Sequence, residues 1–548
     1  IDGGASWVGG TETSTSNSWL GGQGWYDNTI VGSPDDPRVV YVGGIRLWRL
    51  VINTLGSPGY GSGQLSTGSV HVDHHGLQIV EPSGGGWYIL NTNDGGVGFS
   101  SSGDTGWTAP IAGLTTTQFY GVDKRPGKSA YVGGMQDNGT WRSPVNSART
   151  DNGEFQIGGD GYETSWHFDD PQKIIGGSQF NGFDRSLDGG NSWTNATSGL
   201  ADTGSGNAPF LTKIGKSNAR PEHLFAVGKS GPWRSTNFGG SWSLQTINSG
   251  TWGTLSSFHD IRVSEADPDV VWAGARMDGN GDIFVSTDGG VSFDPVTQFT
   301  DVTMGRITGM AAHPTEPGTA FLLFSLAQRP KVLRTTDYGL SWTDISGFGT
   351  GTTSTNGFPD VAVYDLVVFP NDPNTIWVGS EIGLIESTDG GATWAIADNG
   401  LPSVGIWYLL VEEDEVVIAS HGRGIWSAKI PELTQGVVFT PLFESMVQPP
   451  SGMLTLTANL RTAADSTQVF VDGSPVQTLG PNAEFEEAVV EFPVNSAATR
   501  TAFFRSFKDG VAYDSLQKSA DVFVIEPALS NYTNSMTTDD DIHVIGGF

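Results

Sequence analysis

The stretch Ser387-Thr-Asp-Gly-Gly-Ala-Thr-Trp394 defines a pattern that returns along the chain at a nearly fixed interval. Ser or Thr, any residue, Asp or Asn, any residue, Gly, any residue, Ser or Thr and an aromatic residue recur in four further copies, which end at Trp193, Trp242, Phe293 and Trp342. These four aromatic residues and Trp394 are 49, 51, 49 and 52 positions apart in turn. A fragment at residues 2–7 and a degenerate copy at residues 100–107 extend the series.

Each element of the pattern suits a tight turn between two strands. Asp or Asn can accept hydrogen bonds from nearby backbone N–H groups, Gly supplies a positive φ, and the aromatic residue anchors the turn on its sheet. A repeat of about 50 residues built this way predicts an all-β fold, a large β-propeller of small radial sheets. We therefore assign a structural role to the acidic or amide residue of each copy: Asp2, Asp188, Asn237, Asp288, Asp337 and Asp389.

Composition and charge narrow the class of protein. The 548 residues include 77 glycines, 18 tryptophans and no cysteine, which suits a turn-rich β protein. No apolar run is long enough to span a bilayer. A net charge of -31 would repel nucleic acids and anionic membranes, so we exclude both as general partners. We expect a secreted protein or one on a bacterial cell surface, with Ile1 a processing or truncation boundary.

The spacing of the repeats predicts about nine blades, within a range of eight to ten, over residues 1–430. The last strands, at residues 405–430, lack a copy of the pattern, and the segment around Trp7 would complete them and close the ring. The alternative is that Trp7 ends a separate upstream propeller. Residues 431–436 read as a linker, and the alternating strands of residues 437–525 predict a sandwich of immunoglobulin or fibronectin type III kind. Residues 526–548 read as a polar linker or tail.

Candidate functional residues lie on the face of the propeller opposite to the turns of the repeated pattern. If the pattern joins the third and fourth strands of each blade, the opposite face carries the starts of the inner strands and the turns between second and third strands. Carboxylates there are candidates for glycosidic acid and base, namely Asp27, Asp73, Asp94, Asp137, Asp160 and Glu163. Aromatic and polar residues there are candidates for sugar binding, namely Trp25, Tyr26, His74, His75, Tyr120, Gln136, Asn138, His421 and Arg423.

Two segments suggest metal binding. In His71-Val-Asp-His-His75, period two places His71, Asp73 and His75 on one side of a strand, and a transition metal would need a further ligand such as His421 or Asp94. In Asp278-Gly-Asn-Gly-Asp282, the oxygen ligands Asp278, Asn280 and Asp282 alternate as at the start of a calcium loop, without the Glu expected at the twelfth position. The sequence thus establishes no cofactor and suggests calcium as a candidate.

The repeated pattern resembles the Asp-box, or BNR, repeat of the sialidase, sortilin and two-propeller xyloglucanase families. Other segments resemble large secreted bacterial Asp-box proteins that are often exported by the type IX pathway, among them Gly24-Trp-Tyr-Asp-Asn28, Gly134-Met-Gln-Asp-Asn-Gly139 and Ser420-His-Gly-Arg-Gly-Ile-Trp426. The resemblance implies that the box lies on the face away from the ligand. The Phe/Tyr-Arg-Ile-Pro segment of true sialidases is missing from the sequence, so sialidase activity is not expected.

Two functions remain open from the sequence. The first is a propeller module that binds a polysaccharide or an extracellular or cell-surface protein. The alternative is a glycoside hydrolase of the two-propeller xyloglucanase type, acting on a β-glucan through a pair of the carboxylates named above.

Overall fold

The structure, a computed structural model, describes residues 11–12, 19–52, 59–65, 67–68, 70–109, 115–146, 153–397, 400–449 and 452–524. Two compact units divide the chain, Ile1–Val437 and Val438–Phe548. Among the described residues, no helix has the length and hydropathy needed to cross a bilayer. Asp2 and Trp7 lie outside the described residues, as does the tail predicted for residues 526–548.

The first two sheets of unit one precede the regular repeats. Sheet 1 contains β1 (Thr11–Glu12), β2 (Thr29–Gly32), β3 (Val39–Gly43), β4 (Leu47–Ile52) and β5 (Gly59–Gln64), in the order β1-β5-β4-β3-β2. Sheet 2 contains β6 (His74–Val80), β7 (Tyr88–Asn93) and β8 (Gly96–Ser100). The two sheets share a core of Val39, Tyr41, Leu47, Val70 and Ile89. They therefore form one packed pair.

Sheets 3 to 5 follow, with antiparallel neighbours in each. Sheet 3 contains β9 (Phe119–Lys124), β10 (Tyr131–Met135), β11 (Gly139–Arg142) and β12 (Glu154–Ile157). Sheet 4 contains β13 (Thr164–Trp166), β14 (Ile174–Ser178), β15 (Gly182–Ser186) and β16 (Thr194–Asn195), with a short 3-10 helix at Gln179–Asn181. Sheet 5 contains β17 (Leu224–Gly228), β18 (Gly231–Ser235) and β19 (Ser243–Leu244).

Sheets 6 to 9 complete unit one. Sheet 6 contains β20 (Thr246–Ile247), β21 (Asp260–Val263), β22 (Val271–Gly274), β23 (Ile283–Ser286) and β24 (Ser292–Pro295), and sheet 7 contains β25 (Gly309–Ala312), β26 (Ala320–Leu323), β27 (Val332–Thr335) and β28 (Thr343–Asp344). Sheet 8 contains β29 (Val363–Phe369), β30 (Asp372–Ser380), β31 (Gly383–Ser387) and β32 (Ala395–Ile396). Sheet 9 contains β33 (Ile406–Glu412), β34 (Glu415–Ser420) and β35 (Ile425–Lys429), and the 3-10 helix Pro431–Thr434 follows it.

Each of sheets 3 to 9 shares a buried core with the next sheet, and the ninth shares one with the third. Sheets 3 and 4 meet through Val132 and Trp166, and sheets 8 and 9 through Phe369 and Ile418. The remaining consecutive pairs between sheets 4 and 8 are joined by four further cores. Sheet 9 then packs on sheet 3 through a core that includes Phe119, Val122, Met135, Tyr408 and Val417.

These contacts correct the expected ring of about nine blades. Nine sheets occur in order among the described residues of unit one, but the core between β33, β34 and β9 closes the ring over seven of them. Sheet 9 packs one face on sheet 3, and because that core closes the ring over sheets 3 to 9, the pair formed by sheets 1 and 2 lies outside it. The predicted closure through the segment around Trp7 falls on residues outside the described ranges.

The repeated pattern forms the turn that leads into the last antiparallel strand of its sheet, and the five turns join β15 to β16, β18 to β19, β23 to β24, β27 to β28 and β31 to β32. In sheet 4, Asp188 accepts hydrogen bonds from the Ser186 hydroxyl (2.7 Å), the Ser192 backbone N–H (2.9 Å) and the Ser192 hydroxyl (2.6 Å). The same three contacts recur at Asp288, Asp337 and Asp389, and Asn237 makes the amide equivalents. Those hydroxyl and backbone donors lower the pKa of Asp188 to about 2.

Unit two consists of two antiparallel sheets around one core. One sheet contains β36 (Leu442–Val447), β37 (Met453–Leu460) and β40 (Glu486–Pro493), and the other contains β38 (Ser466–Val471), β39 (Ser474–Leu479), β41 (Ala498–Lys508), β42 (Val511–Asp514) and β43 (Lys518–Val522). Phe443, Leu456, Val469 and Phe504 belong to the shared core. Buried and partly exposed residues alternate along β37 and β38, because one face of each sheet packs against the other sheet. Its likeness to immunoglobulin or fibronectin domains stays a prediction.

Candidate functional site

Five of the six candidate carboxylates lie together where sheets 1, 2, 3 and 4 approach one another. Asp27 precedes β2, Asp73 precedes β6, Asp94 lies in the β7–β8 turn, Asp137 in the β10–β11 turn, and Asp160 precedes β13. We call these five residues the acidic cluster. All five lie at starts of first strands or in turns between second and third strands. Because antiparallel strands alternate in direction, this end of the sheets is opposite to the third-to-fourth turns of the repeated pattern.

Backbone contacts hold the acidic cluster together across the sheets. The Asp137 N–H donates to Asp160 Oδ1 at 2.8 Å, and the Asn138 side-chain amide donates to the Asp94 carbonyl at 2.9 Å. A ring nitrogen of His71 lies 3.1 Å from the Asp137 carbonyl oxygen. His71 entered the sequence analysis only as a metal ligand, and its position shows a second use, which is to join sheet 2 to the β10–β11 turn.

Aromatic side chains border the cluster on its exposed side. Trp25 is 84% exposed, and its ring lies 5.7 Å from that of Tyr26. The Tyr26 hydroxyl donates to Asp94 Oδ2 at 3.2 Å, and His75 Nε2 lies 2.7 Å from Asp94 Oδ1. The Tyr26 and His75 rings meet edge to face at 4.8 Å. An exposed ring therefore stands directly beside hydrogen-bonding carboxylates.

The carboxylates of the cluster do not share one protonation behaviour. Burial, together with the carboxylates of Asp160 and Asp94, raises the pKa of Asp137 to about 8. Burial and the carboxylates of Asp94 and Asp27 raise the pKa of Asp73 to about 6. Asp137 is therefore protonated at neutral pH while Asp73 is mostly ionised, so the cluster holds an acid and a base at the same pH.

Replacing Asp137 by asparagine tests this protonation behaviour through stability. The pKa of Asp137 in the folded protein lies above its ordinary value of 3.8. The stability that the protonated Asp137 contributes is therefore fully present below pH 3.8 and is lost as the pH rises through about 8. We expect Asp137→Asn to unfold in urea with a free energy about 1 kcal/mol above that of the parent near pH 9, after allowance for solvent screening, and with no such advantage near pH 4. Asparagine also suits the backbone here, where φ is 58°. An equal difference at both pH values would contradict the raised pKa.

A second group of candidates lies around the central opening of the seven-sheet ring. The Tyr120 hydroxyl donates to Gln136 Oε1 at 2.6 Å, and the Tyr120 ring lies 5.0 Å from Trp407 and 5.5 Å from His421. Trp407 stacks on Tyr364 at 4.6 Å and on His421 at 4.7 Å. A cavity of about 50 Å³ lies among the strand starts that carry Tyr120, Tyr364 and Trp407. These rings line the opening of the central channel.

The other candidates are placed differently. His74 is buried inside sheet 2, with Nδ1 2.9 Å from Asn91 Oδ1, and burial lowers its pKa to about 4. Arg423 is exposed and donates to the Thr115 carbonyl at 3.2 Å. Neither contacts the acidic cluster through these bonds.

Glu163, the sixth candidate carboxylate, lies in the central channel. It accepts hydrogen bonds from Lys213 Nζ at 2.9 Å and from the Ile214 N–H at 2.8 Å, and it pairs with Arg262 at 3.2 Å. Burial alone would raise the pKa of Glu163, but Arg262 and Lys213 lower it to about 2. These bonds form a buried ion-pair network that joins the segments before β13 and β17 to β21.

The segments considered for metal binding are used for other contacts. Asp278 pairs with Arg276, whereas Asp282 accepts hydrogen bonds from the Thr251 N–H and from Gln298, both at 2.7 Å. His421 packs against Tyr120 and Trp407, and it takes no part in the bonds that His71 and His75 make. Across the described part of the chain, no group of three or more His, Cys, Asp or Glu side chains is arranged to hold a metal ion.

Closed rings of radial sheets with a central channel define a β-propeller. No family model matches the sequence, and no curated protein matches it. Among solved structures, the chain is similar to the GH74 xyloglucanase from Xanthomonas campestris, with 17% identity, a TM-score of 0.43, and coverage of 73% of this chain and 58% of the xyloglucanase. An ancestral GH74 enzyme gives 14% identity, a TM-score of 0.44 and coverage of 75% and 63%.

A third solved structure is also similar to this chain. YCF48 from Cyanidioschyzon merolae gives 14% identity, a TM-score of 0.42, and coverage of 59% of this chain and 98% of YCF48. The chain spans 58% of the length of the Xanthomonas xyloglucanase. We take the propeller architecture from the sheet packing and carry no residue role over from these proteins.

Proposed function

We propose that the face bearing the acidic cluster binds a polysaccharide outside the cell. The observation that carries the proposal is Trp25, an almost fully exposed ring held against Tyr26, whose hydroxyl in turn bonds Asp94. Sugars are recognised by this combination, because an aromatic face packs on their C–H surface while fixed polar groups bond their hydroxyls. The aromatic rings around Trp407 would extend the contact toward the ring opening.

Trp25→Ala tests the proposal. The side chain is 84% exposed, so its removal leaves folding unchanged and removes the stacking surface. We expect the dissociation constant for a bound polysaccharide fragment to rise about tenfold, or about 1.4 kcal/mol, in isothermal titration calorimetry across a panel of soluble polysaccharides. Leu340→Ala is the control, since Leu340 is 73% exposed and lies in the repeated turn between β27 and β28, on the face opposite to the cluster. Equal affinities for the Trp25 variant and the parent would contradict the proposal.

Hydrolysis of the bound polysaccharide is the second candidate, and the split protonation of the cluster favours it. Glycoside hydrolysis needs a carboxylic acid that donates a proton to the leaving oxygen and a second, ionised carboxylate. Asp137, protonated at neutral pH, would be the acid, with Asp73 as the ionised partner. Release of reducing sugar that is lost in Asp137→Asn would establish this activity, and silence across the panel would remove it.

A further inference from the structure

The cavity at the opening of the central channel has an aromatic rim and a polar floor. It measures about 50 Å³. Tyr120, Tyr364 and Trp407 belong to its lining and are partly exposed, so the rim is in contact with solvent. Tyr162 and Asp260 also belong to the lining, and they are only 1% and 2% exposed. The cavity is therefore open at its aromatic rim and closed at its polar floor.

One acceptor and one donor of the floor are unpaired. Asp260 Oδ1 accepts a hydrogen bond from the Ile261 N–H at 2.8 Å and pairs with Arg262 at 3.3 Å, whereas Oδ2 is buried with no hydrogen-bond partner in the described part of the chain. The Tyr162 hydroxyl is also buried, and none of the described residues bonds it. Burial raises the pKa of Tyr162, so this hydroxyl keeps its proton and can donate. Leaving both atoms unsatisfied costs free energy.

The charges around the floor are balanced within the protein. Glu163 pairs with Lys213 and with Arg262, and Asp260 pairs with Arg262 as well. Asp365, another carboxylate beside Arg262, accepts hydrogen bonds from two backbone N–H groups. A charged ligand would disturb this buried network, whereas a neutral group would not. A hydroxyl group is neutral, and it can donate to Asp260 Oδ2 and accept from Tyr162 at the same time.

The volume of the cavity limits the size of the group that enters it. A single water molecule needs roughly 10–15 Å³ of cavity, and pockets for whole small molecules measure roughly 300–1,000 Å³. At about 50 Å³, the cavity has room for more than one water molecule and is too small for a sugar ring. It suits a short substituent of a sugar, with one carbon and one oxygen atom.

We propose that the cavity receives the exocyclic hydroxymethyl group of a hexose, so that the protein binds polymers of hexoses in preference to polymers of pentoses. This specificity rests on the proposed function and names its substrate class. The hydroxyl donates to Asp260 Oδ2 and accepts from the Tyr162 hydroxyl, while the sugar ring packs on the rim at Trp407. A pentose has no hydroxymethyl group and leaves both polar atoms of the floor unpaired, which a binding site built for a hydroxyl group penalises.

The experiment compares oligosaccharides that differ in this group. Cellohexaose and xylohexaose have the same β-1,4-linked backbone, and only cellohexaose carries hydroxymethyl groups. Laminarihexaose and mannohexaose extend the hexose set to a second linkage and a second epimer. In isothermal titration calorimetry, we expect at least one of the three hexose hexamers to bind at least about tenfold tighter than xylohexaose.

Two variants of the lining and one control locate the preference. Tyr162→Phe removes only the unpaired hydroxyl, so we expect urea unfolding to show no loss of stability while the preference for the hexose falls about threefold to tenfold. Ser257→Leu, at a partly exposed position of the lining, fills the cavity and should remove the preference while xylohexaose still binds. Tyr338→Phe is the matched control and should keep the preference, since Tyr338 is 39% exposed in the repeated turn between β27 and β28, on the opposite face.

The outcomes separate the hexose preference from the function on which it rests. If xylohexaose binds as tightly as every hexose hexamer and Trp25→Ala weakens them all, the preference is overturned and polysaccharide binding stands. A preference that survives in both Tyr162→Phe and Ser257→Leu also overturns the proposal, because the hydroxymethyl group would then be recognised elsewhere. A preference that is lost in Tyr162→Phe but unaffected by Trp25→Ala supports the cavity and contradicts the role of Trp25. If no oligosaccharide binds, both fail.

Discussion

Glu163→Gln is expected to lower the free energy of unfolding of unit one by about 3 kcal/mol, among the largest effects of any single change considered. The Glu163 side chain is 2% exposed and is bonded to Lys213, from the segment before β17, and to Arg262 of β21. Glutamine keeps the size of the side chain but removes the negative charge that Lys213 and Arg262 share. Asp260 still pairs with Arg262 at 3.3 Å, which keeps the loss at the lower end for a broken buried network.

The matched control is Glu222→Gln. Glu222 also contacts two basic side chains, His167 and Lys173, but its own side chain is 42% exposed. Water screens that pair, so we expect a loss below about 1 kcal/mol. Urea unfolding of both variants decides the point. Equal losses would mean that the central channel is wetter and less structured than its contacts indicate.

A double-mutant cycle on Lys124 and Glu413 is expected to give a coupling energy of about 3 kcal/mol. Lys124 Nζ lies 2.7 Å from Glu413 Oε2, and the two side chains are 2% and 0% exposed. Burial alone would lower the pKa of Lys124, but Glu413 raises it. The pair joins β9 to the turn after β33, which is the closing interface of the seven-sheet ring.

The cycle uses Lys124→Met, Glu413→Gln and the double variant, each unfolded in urea. Each single change removes one charge of the pair and leaves the other buried charge without this counter-charge, although Glu413 keeps its hydrogen bonds from the Gly127 N–H. The double variant removes both charges, so its loss should be well below the sum of the single losses. A ring closed through other sheets would separate the two residues, and the single losses would then simply add.

The repeat predicted the sheets better than it predicted their closure. The five complete copies of the pattern are held by bonds between residues within five positions of each other, as at Asp188, and such local chemistry is visible in sequence. Closure depends on contacts such as that between Lys124 and Glu413, which are 289 positions apart. Sheets 1 and 2 follow the same strand order as the ring sheets, so no sequence signal marks β9 as the strand against which sheet 9 packs.

The candidate site was predictable to a similar extent. Strand direction alone placed the starts of inner strands and the second-to-third turns on one face, and five of the six carboxylates do meet there. Glu163 differs because successive residues of an extended segment, such as the one just before β13, point to opposite sides. Tyr162 packs beside Tyr120 at 5.1 Å, while the next residue, Glu163, reaches Lys213 in the channel. The two environments are one residue apart in the sequence. The hydrophobic periodicity of so short a segment could not predict which of the two side chains faces the channel.

The most direct test of the account is hydrogen–deuterium exchange with and without a bound oligosaccharide. We expect slower exchange in segments 24–28, 71–75, 93–96 and 135–139, which carry the acidic cluster and its aromatic border, and no change in the repeated turns at 186–193 and 335–342 on the opposite face. Protection confined to those repeated turns, or to unit two, would contradict the claim that recognition takes place at the acidic cluster.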